Sequence, residues 1–248
     1  FSFAHQRLAI IDLSMAGNQP MLSHSGRYVI AFNGEIYNHK LIRNHLNKCF
    51  PDISWGGNSD TETLINTIQI YGLEKALNLC TGMFSFALWD RKERKLNLVR
   101  DRFGEKPLYF GFSGKASDRS FLFGSDISCL RSWEGFNNSI NNKALSQLFA
   151  FGAISAPDSI FNNIFQLLPG HYLSIQFPFV SENLESINWW NFNEKIEAGI
   201  NNQFHDEEEA LEELESALKK SVELQTISDV PLGSFLSGGI DSSLIAAL

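Results

Sequence analysis

Apolar positions recur along the chain in two rhythms. Over residues 61–71, Leu64, Ile65, Ile68 and Tyr71 fall three and four apart, the spacing that gathers side chains on one face of an α-helix, and residues 40–49 carry a second helical pattern. Elsewhere the period is two. Phe84, Phe86 and Leu88 alternate with Ser85, Ala87 and Trp89; the polar stretch 90–95 then turns the chain into residues 96–99, which together predict a hairpin. Strand-forming runs ending in polar turn residues cover 7–13 and 28–32, and others cover 108–112, 121–123 and 171–177. A short helix is predicted near 142–151. Strands are mostly adjacent and segregated from helices, so the pattern predicts an α+β domain of layered antiparallel sheets covered by helices.

The pattern changes after residue 190. Residues 191–204 are polar and lack periodicity, which predicts a linker. Beyond it, Asp206 is placed to cap a helix whose first turn holds Glu207, Glu208 and Glu209 against the positive end of the helix dipole, with Leu211, Leu214 and Leu218 as its apolar stripe. The short apolar run 230–236 then reads as a strand leading through Ser237-Gly238-Gly239 into a helix starting near Asp241. Strand, glycine loop and helix in that order are the opening of an α/β nucleotide-binding domain. Two domains follow from this reading, residues 1–192 and 206–248.

Composition narrows the function classes. With 248 residues, 44% of them hydrophobic, the chain can bury a substantial core. A formal net charge of −8 argues against a nucleic-acid partner, which would need a concentrated basic surface. Three cysteines, Cys49, Cys80 and Cys129, are too few and too scattered for a disulfide framework or a metal cluster, so a reducing, cytoplasmic setting is expected and the thiols read as buried or incidental. No apolar stretch approaches the roughly 18 residues of a membrane helix. The chain opens on Phe1-Ser2-Phe3-Ala4 and closes inside a helical pattern; it is expected to be cut at both ends.

Two constellations carry chemistry. In Ser237-Gly238-Gly239-Ile240-Asp241-Ser242 the glycines let backbone amides approach a ligand, the following helix start aims unpaired N–H groups at an anion, the hydroxyls add donors, and Asp241 can ligate Mg²⁺ between phosphate oxygens. Far upstream, Asn33-Gly34-Glu35-Ile36-Tyr37-Asn38 is predicted where a strand breaks into a turn. There an Asn amide beside a glycine N–H can form an oxyanion hole, and Glu35 can hold an ammonium group. Taken alone, Asn-Gly is also a common hairpin turn, Asp60 also an ordinary N-cap, and Arg7 also a surface strand cation.

The glycine string resembles the PP-loop of ATP pyrophosphatases, and its extended form, Asp229-Val230-Pro231-Leu232-Gly233-Ser234-Phe235-Leu236 before Ser237, is similar to that of asparagine synthetases. Upstream, residues 5–13 (His5-Gln6-Arg7-Leu8-Ala9-Ile10-Ile11-Asp12-Leu13), Gly17-Asn18-Gln19-Pro20-Met21 and Ser59-Asp60-Thr61-Glu62 resemble the glutamine-binding segments of class II glutamine amidotransferases. Residues 82–90, 100–109 and 168–172 match further family segments, read as structural, with Arg100, Asp101 and Arg102 as an ion-paired turn.

The resemblance implies an Ntn-hydrolase-like glutaminase domain followed by the start of a PP-loop domain. It implies that Arg7 pairs with the α-carboxylate of glutamine, that Glu35 and Asp60 receive its α-amino group, that Asn33 and Gly34 form the oxyanion hole, and that the Leu8 and Ile10 backbone lines the pocket. Leu236, Ser237, Gly238, Gly239, Asp241 and Ser242 would bind ATP, with Asp241 on Mg²⁺. The implied reaction is ATP-dependent amide formation on a carboxylate, expected to be aspartate, through an acyl-adenylate and with ammonia released from glutamine. Alternatives are the same chemistry on another acceptor, such as a sugar carboxylate of a surface polysaccharide, or a non-catalytic glutamine-sensing module. A homodimer is compatible with either. The family attacks glutamine with a Cys at the mature N-terminus, which none of Cys49, Cys80 and Cys129 matches, so the chain by itself is expected to be inactive.

Overall fold

In the computed structural model, residues 2–8, 10–114, 119–178 and 184–248 are described. The elements run β1 (Met21–Leu22), β2 (Tyr28–Ile36), α1 (His39–Cys49), α2 (Asp60–Tyr71), α3 (Leu73–Leu79), β3 (Gly82–Asp90) and β4 (Lys95–Arg100). They continue with β5 (Tyr109–Ser113), β6 (Ser120–Gly124), α4 (Ile127–Arg131), α5 (Asn142–Phe151), β7 (Ile164–Gln166), β8 (His171–Gln176) and β9 (Ser186–Asn188). Three helices close the chain: α6 (Phe192–Asn201), α7 (Glu207–Gln225) and α8 (Ile240–Ala247).

The strands form two antiparallel sheets, one in the order β1-β2-β3-β4-β8-β9 and one in the order β6-β5-β7. Alternation along the central strands explains the layering. Phe84, Phe86 and Leu88 of β3, Val99 of β4 and Tyr172 of β8 point to one side, where they pack with Leu46 of α1 and Leu64, Ile65 and Ile68 of α2. Ala87, Leu96, Leu98, Leu173 and Ile175 point to the other side, against Phe110 of the small sheet and Leu108 just before it. The result is three layers, helices on a large sheet on a small sheet. Each large side chain buried there contributes about 1.5–3 kcal/mol. The α+β expectation therefore holds.

Several local expectations do not. Residues 7–13 form no strand; among them Ala9, like Phe1, lies outside the described residues. Asp12 has φ +53, which no strand residue adopts, and the carbonyls of Ile11, Asp12 and Ser14 accept hydrogen bonds from the Arg7 guanidinium rather than from a neighbouring strand. The predicted linker 191–204 contains α6, capped by the Asn191 side chain; Phe192, Ile196 and Ile200 supply a sparse stripe four apart that polar neighbours obscure. Residues 230–236 are not a strand either. Pro231 has no N–H to give a ladder, no described strand pairs with the segment, and Phe235 stands fully exposed.

Arg100, Asp101 and Arg102 do shape a turn, but not through ion pairs. The fully buried Asp101 carboxylate accepts from the backbone amides of Phe84, Phe103, Glu105 and Lys106 at 3.0–3.2 Å. Arg100 donates to the carbonyls of Gly104, Lys106 and Leu167, and Arg102 to that of Cys80. Backbone groups, not opposite charges, absorb these three side chains. The turn they fix carries Lys106.

Candidate functional site

A cleft of about 150 Å³ opens at the edge of the large sheet. Its wall contains Arg7, Leu8, Ile10, Asn33, Gly34, Glu35 and Asp60, so all seven residues expected to bind glutamine meet in one place although they come from three separate segments. Each arrives for a local reason. Strand β2 runs through Asn33 and Gly34 to Ile36, past the turn predicted there, because Asn33, Gly34, Glu35 and Ile36 pair with Ser85, Phe84, Met83 and Gly82 of β3. Gly34 has φ +146, and a Cβ on it would sit 2.1 Å from the Met83 carbonyl oxygen; only glycine fits both the conformation and the close approach. Asp60 opens α2, where Ser59 rather than Asp60 is the cap, its hydroxyl accepting from the Glu62 amide.

Two buried carboxylates sit together in the cleft. The Asp60 side chain accepts from the backbone amides of Ile36 at 2.9 Å and Thr61 at 2.8 Å. Burial nonetheless pushes its pKa up, against those hydrogen bonds and the nearby His39. Glu35 is also raised, by burial first and by the Asp60 charge second, with Lys106 pulling the other way. Its Oε1 is buried without a hydrogen-bond partner among the described residues. An acceptor left bare in this way costs about 1–3 kcal/mol, and a cationic donor would remove the cost.

Arg7 lines the same cleft. Its Nη2 donates to the carbonyls of Ile11 at 2.7 Å and Asp12 at 2.5 Å, and Nη1 to that of Ser14 at 3.4 Å. A guanidinium has five donors, so N–H groups remain for a ligand while the turn fixes the plane. The Leu8 side chain is exposed, in keeping with a contribution through its backbone.

His5, Gln19, Met83 and Lys106 also line the cleft and were not singled out by sequence reasoning. Gln19 ties its parts together, its Oε1 accepting from the Phe32 amide at 2.6 Å and its Nε2 donating to the Thr61 hydroxyl at 3.4 Å. His5 Nε2 donates to the Phe32 carbonyl at 2.9 Å, which leaves Nδ1 buried as an unpartnered acceptor; burial lowers the pKa of this ring. All four lie inside the segments 5–13, 17–21, 82–90 and 100–109 that resemble the family, but none of them was given a role in the pocket.

No cysteine lines the cleft. Cys80 is buried in the core, its thiol pushed up to about 12 by burial, while Cys49 and Cys129 are exposed on α1 and α4.

The second predicted group stands apart from this cleft. Ser237, Gly238 and Gly239 form an open loop into α8, with Gly238 at φ +80, and Asp241 and Ser242 stand in the first turn of that helix. The Ser237 and Ser242 hydroxyls lie 2.9 Å apart, and no side chain caps the helix. Leu236 is two-thirds exposed.

The family model of the glutamine amidotransferase domain matches residues 1–190. The chain belongs to this family. A second model, asparagine synthase, matches residues 213–248. Asparagine synthetase (glutamine-hydrolyzing) 3 of Bacillus subtilis (strain 168) is 34% identical over 99% of this chain and 38% of its own length. Amidase chyE of Penicillium rubens is 33% identical over 98% of this chain and 34% of its own, and putative asparagine synthetase (glutamine-hydrolyzing) 2 of Methanocaldococcus jannaschii 29% identical over 98% and 47%. The amidotransferase chain thus spans between a third and a half of the length of these relatives. Among solved structures, the allosteric regulatory enzyme of purine biosynthesis overlays 69% of the chain with a TM-score of 0.46 and 19% identity, too loose an overlay to weigh in the argument. No helix among the described residues is long and apolar enough to cross a membrane.

Proposed function

We propose that the cleft is a glutamine site and that the protein uses the ammonia released there to convert a carboxylate, expected to be that of aspartate, into an amide at the cost of ATP. The observation that carries this reading is the bare, buried Oε1 of Glu35 near the Asp60 charge, in a cleft that Arg7 also lines. One amino acid satisfies both ends: its α-ammonium group neutralises the carboxylate pair, and its α-carboxylate takes the remaining Arg7 donors in a charge-assisted bond. A peptide lacks the free ammonium and would leave the carboxylates repelling each other. Asn33 and Gly34 then act as oxyanion donors as the side-chain amide is attacked. The attacking thiol is the part of this reaction that the cleft residues do not supply.

The second half of the reading rests on the loop 237–242. Its uncapped helix start, left-handed Gly238 and paired hydroxyls suit the phosphates of ATP; Leu236 would lie against the nucleotide and Asp241 would hold Mg²⁺. ATP would supply the adenylyl group that activates the acceptor carboxylate as an acyl-adenylate, with release of pyrophosphate, and ammonia attacking the acyl carbon would then displace AMP. The similarity of residues 213–248 to asparagine synthase supports this half, and with it a division into an amidotransferase domain, 1–192, and a second domain beginning near residue 206.

The alternative that the same chemistry serves an acceptor other than aspartate has one observation beside it: a protein named as an amidase is nearly as similar over this span as those named asparagine synthetases.

Arg7→Ala in the full-length protein tests the glutamine site. Losing a bond worth roughly 2–4 kcal/mol should lower glutamine-dependent amide formation about 30- to 1000-fold, while ammonia supplied in solution, which bypasses the cleft, should support synthesis near the parental rate. Loss with both nitrogen sources would make Arg7 a fold residue, and loss with neither would place the glutamine site elsewhere. Aspartate consumed in step with ATP in the same assay would settle the acceptor.

A further inference from the structure

The segment leading into the glycine loop reaches back 217 residues to the cleft. The Asp229 amide donates to the Ile10 carbonyl at 3.1 Å, and the Asp12 amide donates to Asp229 Oδ2 at 2.9 Å. These two bonds clip residues 10–12 from one side. From the other side, the carbonyls of Ile11 and Asp12 hold the Arg7 guanidinium. Asp12 is strained into φ +53, and its own carboxylate is spent elsewhere, on the Ser14 amide and hydroxyl and on the Asn58 amide. Nothing in that set fixes the direction of the Asp12 amide, and with it the peptide group whose far side presents the Ile11 carbonyl to Arg7. Asp229 does. Its own position is set locally, the Ser228 hydroxyl bridging the Val230 amide and carbonyl around it.

We infer that Asp229 is a positioning residue for the cleft: it orients the 10–12 turn so that Arg7 meets the ligand carboxylate in the bound geometry, and it does so from the stretch that begins the nucleotide loop. The inference rests on the glutamine reading of the cleft. It gives the short polypeptide before Ser237 a task in the other domain, and makes the affinity for glutamine depend on how that stretch is held.

The test uses the 248-residue chain and L-glutamine, with binding measured by calorimetry and the Asp12 amide followed by hydrogen exchange. Asp229→Ala should weaken glutamine binding about 3- to 10-fold, the effect of losing one partly exposed bond to a carboxylate, and should speed exchange at Asp12. Asp229→Asn keeps an acceptor oxygen at the same place and should bind within about twofold of the parent. A merely structural tether would lower the melting temperature of Asp229→Ala and leave the affinity of the folded protein unchanged; that result overturns the inference while the glutamine reading stands, as does unchanged exchange at Asp12. If the parent chain binds no glutamine, the glutamine reading itself falls and takes the inference with it.

Discussion

On the glutamine reading, Glu35 would serve binding at the expense of the unliganded fold. Its folded pKa is raised, so the folded state keeps the proton to higher pH than the unfolded chain does. The stability this contributes is fully present below the ordinary carboxylate range and is lost as pH rises through the folded value. Glu35→Gln drops the charge and keeps the shape. The unliganded variant should therefore melt about 2–4 °C above the parent at neutral pH, as expected for roughly 1 kcal/mol in a chain of this size, with the difference closing as the pH falls below the ordinary value. It should bind glutamine at least about tenfold more weakly, since the ammonium loses a charged acceptor. Melting curves across pH, paired with calorimetry, check both halves; parallel curves would show that Glu35 carries no burial penalty. Lys106, the cation nearest in effect, shows what spacing alone does not reveal: it enters the cleft because Asp101 holds its amide from below.

At the scale of elements, β2 and β3 decide whether the cleft exists. Their pairing brings two glycines against backbone, Gly34 against the Met83 carbonyl and Gly82 against that of Glu35, where a Cβ would stand 2.1 Å and 2.0 Å away. A strand backbone in the middle of a sheet cannot yield by that much. Gly34→Ala should lower stability by more than about 3 kcal/mol, by overpacking and by an unfavourable φ together. Gly72→Ala is the matched control: φ is +82 but no atom lies within 4 Å, so only conformational strain of about 1–2 kcal/mol is expected. Urea midpoints measure the contrast, and equal losses would mean that the β2–β3 approach is not tight. The helices behave differently. Helix α2 buries Leu64, Ile65 and Ile68, the stripe its sequence displays, whereas α6 was hidden because Phe192, Ile196 and Ile200 are all at least 43% exposed and sit among polar residues.

Across the whole molecule, cohesion is uneven. The two sheets and α1–α3 share continuous apolar layers, but α6, α7 and α8 bury no residue, and Leu211, Leu214, Phe235, Ile240 and Leu244 are among the exposed apolar side chains of that region. Helices without buried contacts open at little cost in free energy, and proteases act on the open form. Brief treatment with trypsin should cut first at Lys195, Lys219 or Lys220 and leave a resistant N-terminal fragment ending at one of these residues, identified by mass spectrometry. Persistence of the intact chain for as long as that core would show that α7 is held more firmly than its exposure implies.

What the sequence determined by itself was whatever depends on neighbours along the chain. The period-two run 84–89, its polar turn, the stripe of α2 and the Asp206 cap are local physics, and they appear as read. The layered α+β architecture follows from those patterns, and the set Arg7, Asn33, Gly34, Glu35 and Asp60 was legible through its resemblance to a family. Tertiary structure alone decided the rest. Residues 7–13 look like a strand, but the Ile11 and Asp12 carbonyls are claimed by Arg7 and that of Ile10 by Asp229, and residues 230–236 have apolar side chains but no described sheet to join. The charges around residue 101 pair with backbone rather than with each other, since a buried carboxylate is satisfied by whichever amides the turn brings near. That Glu35 keeps an unpartnered oxygen, that Lys106 stands near it and that Asp229 grips the 10–12 turn depend on contacts between segments tens to hundreds of residues apart, and no local pattern encodes a distance across the fold.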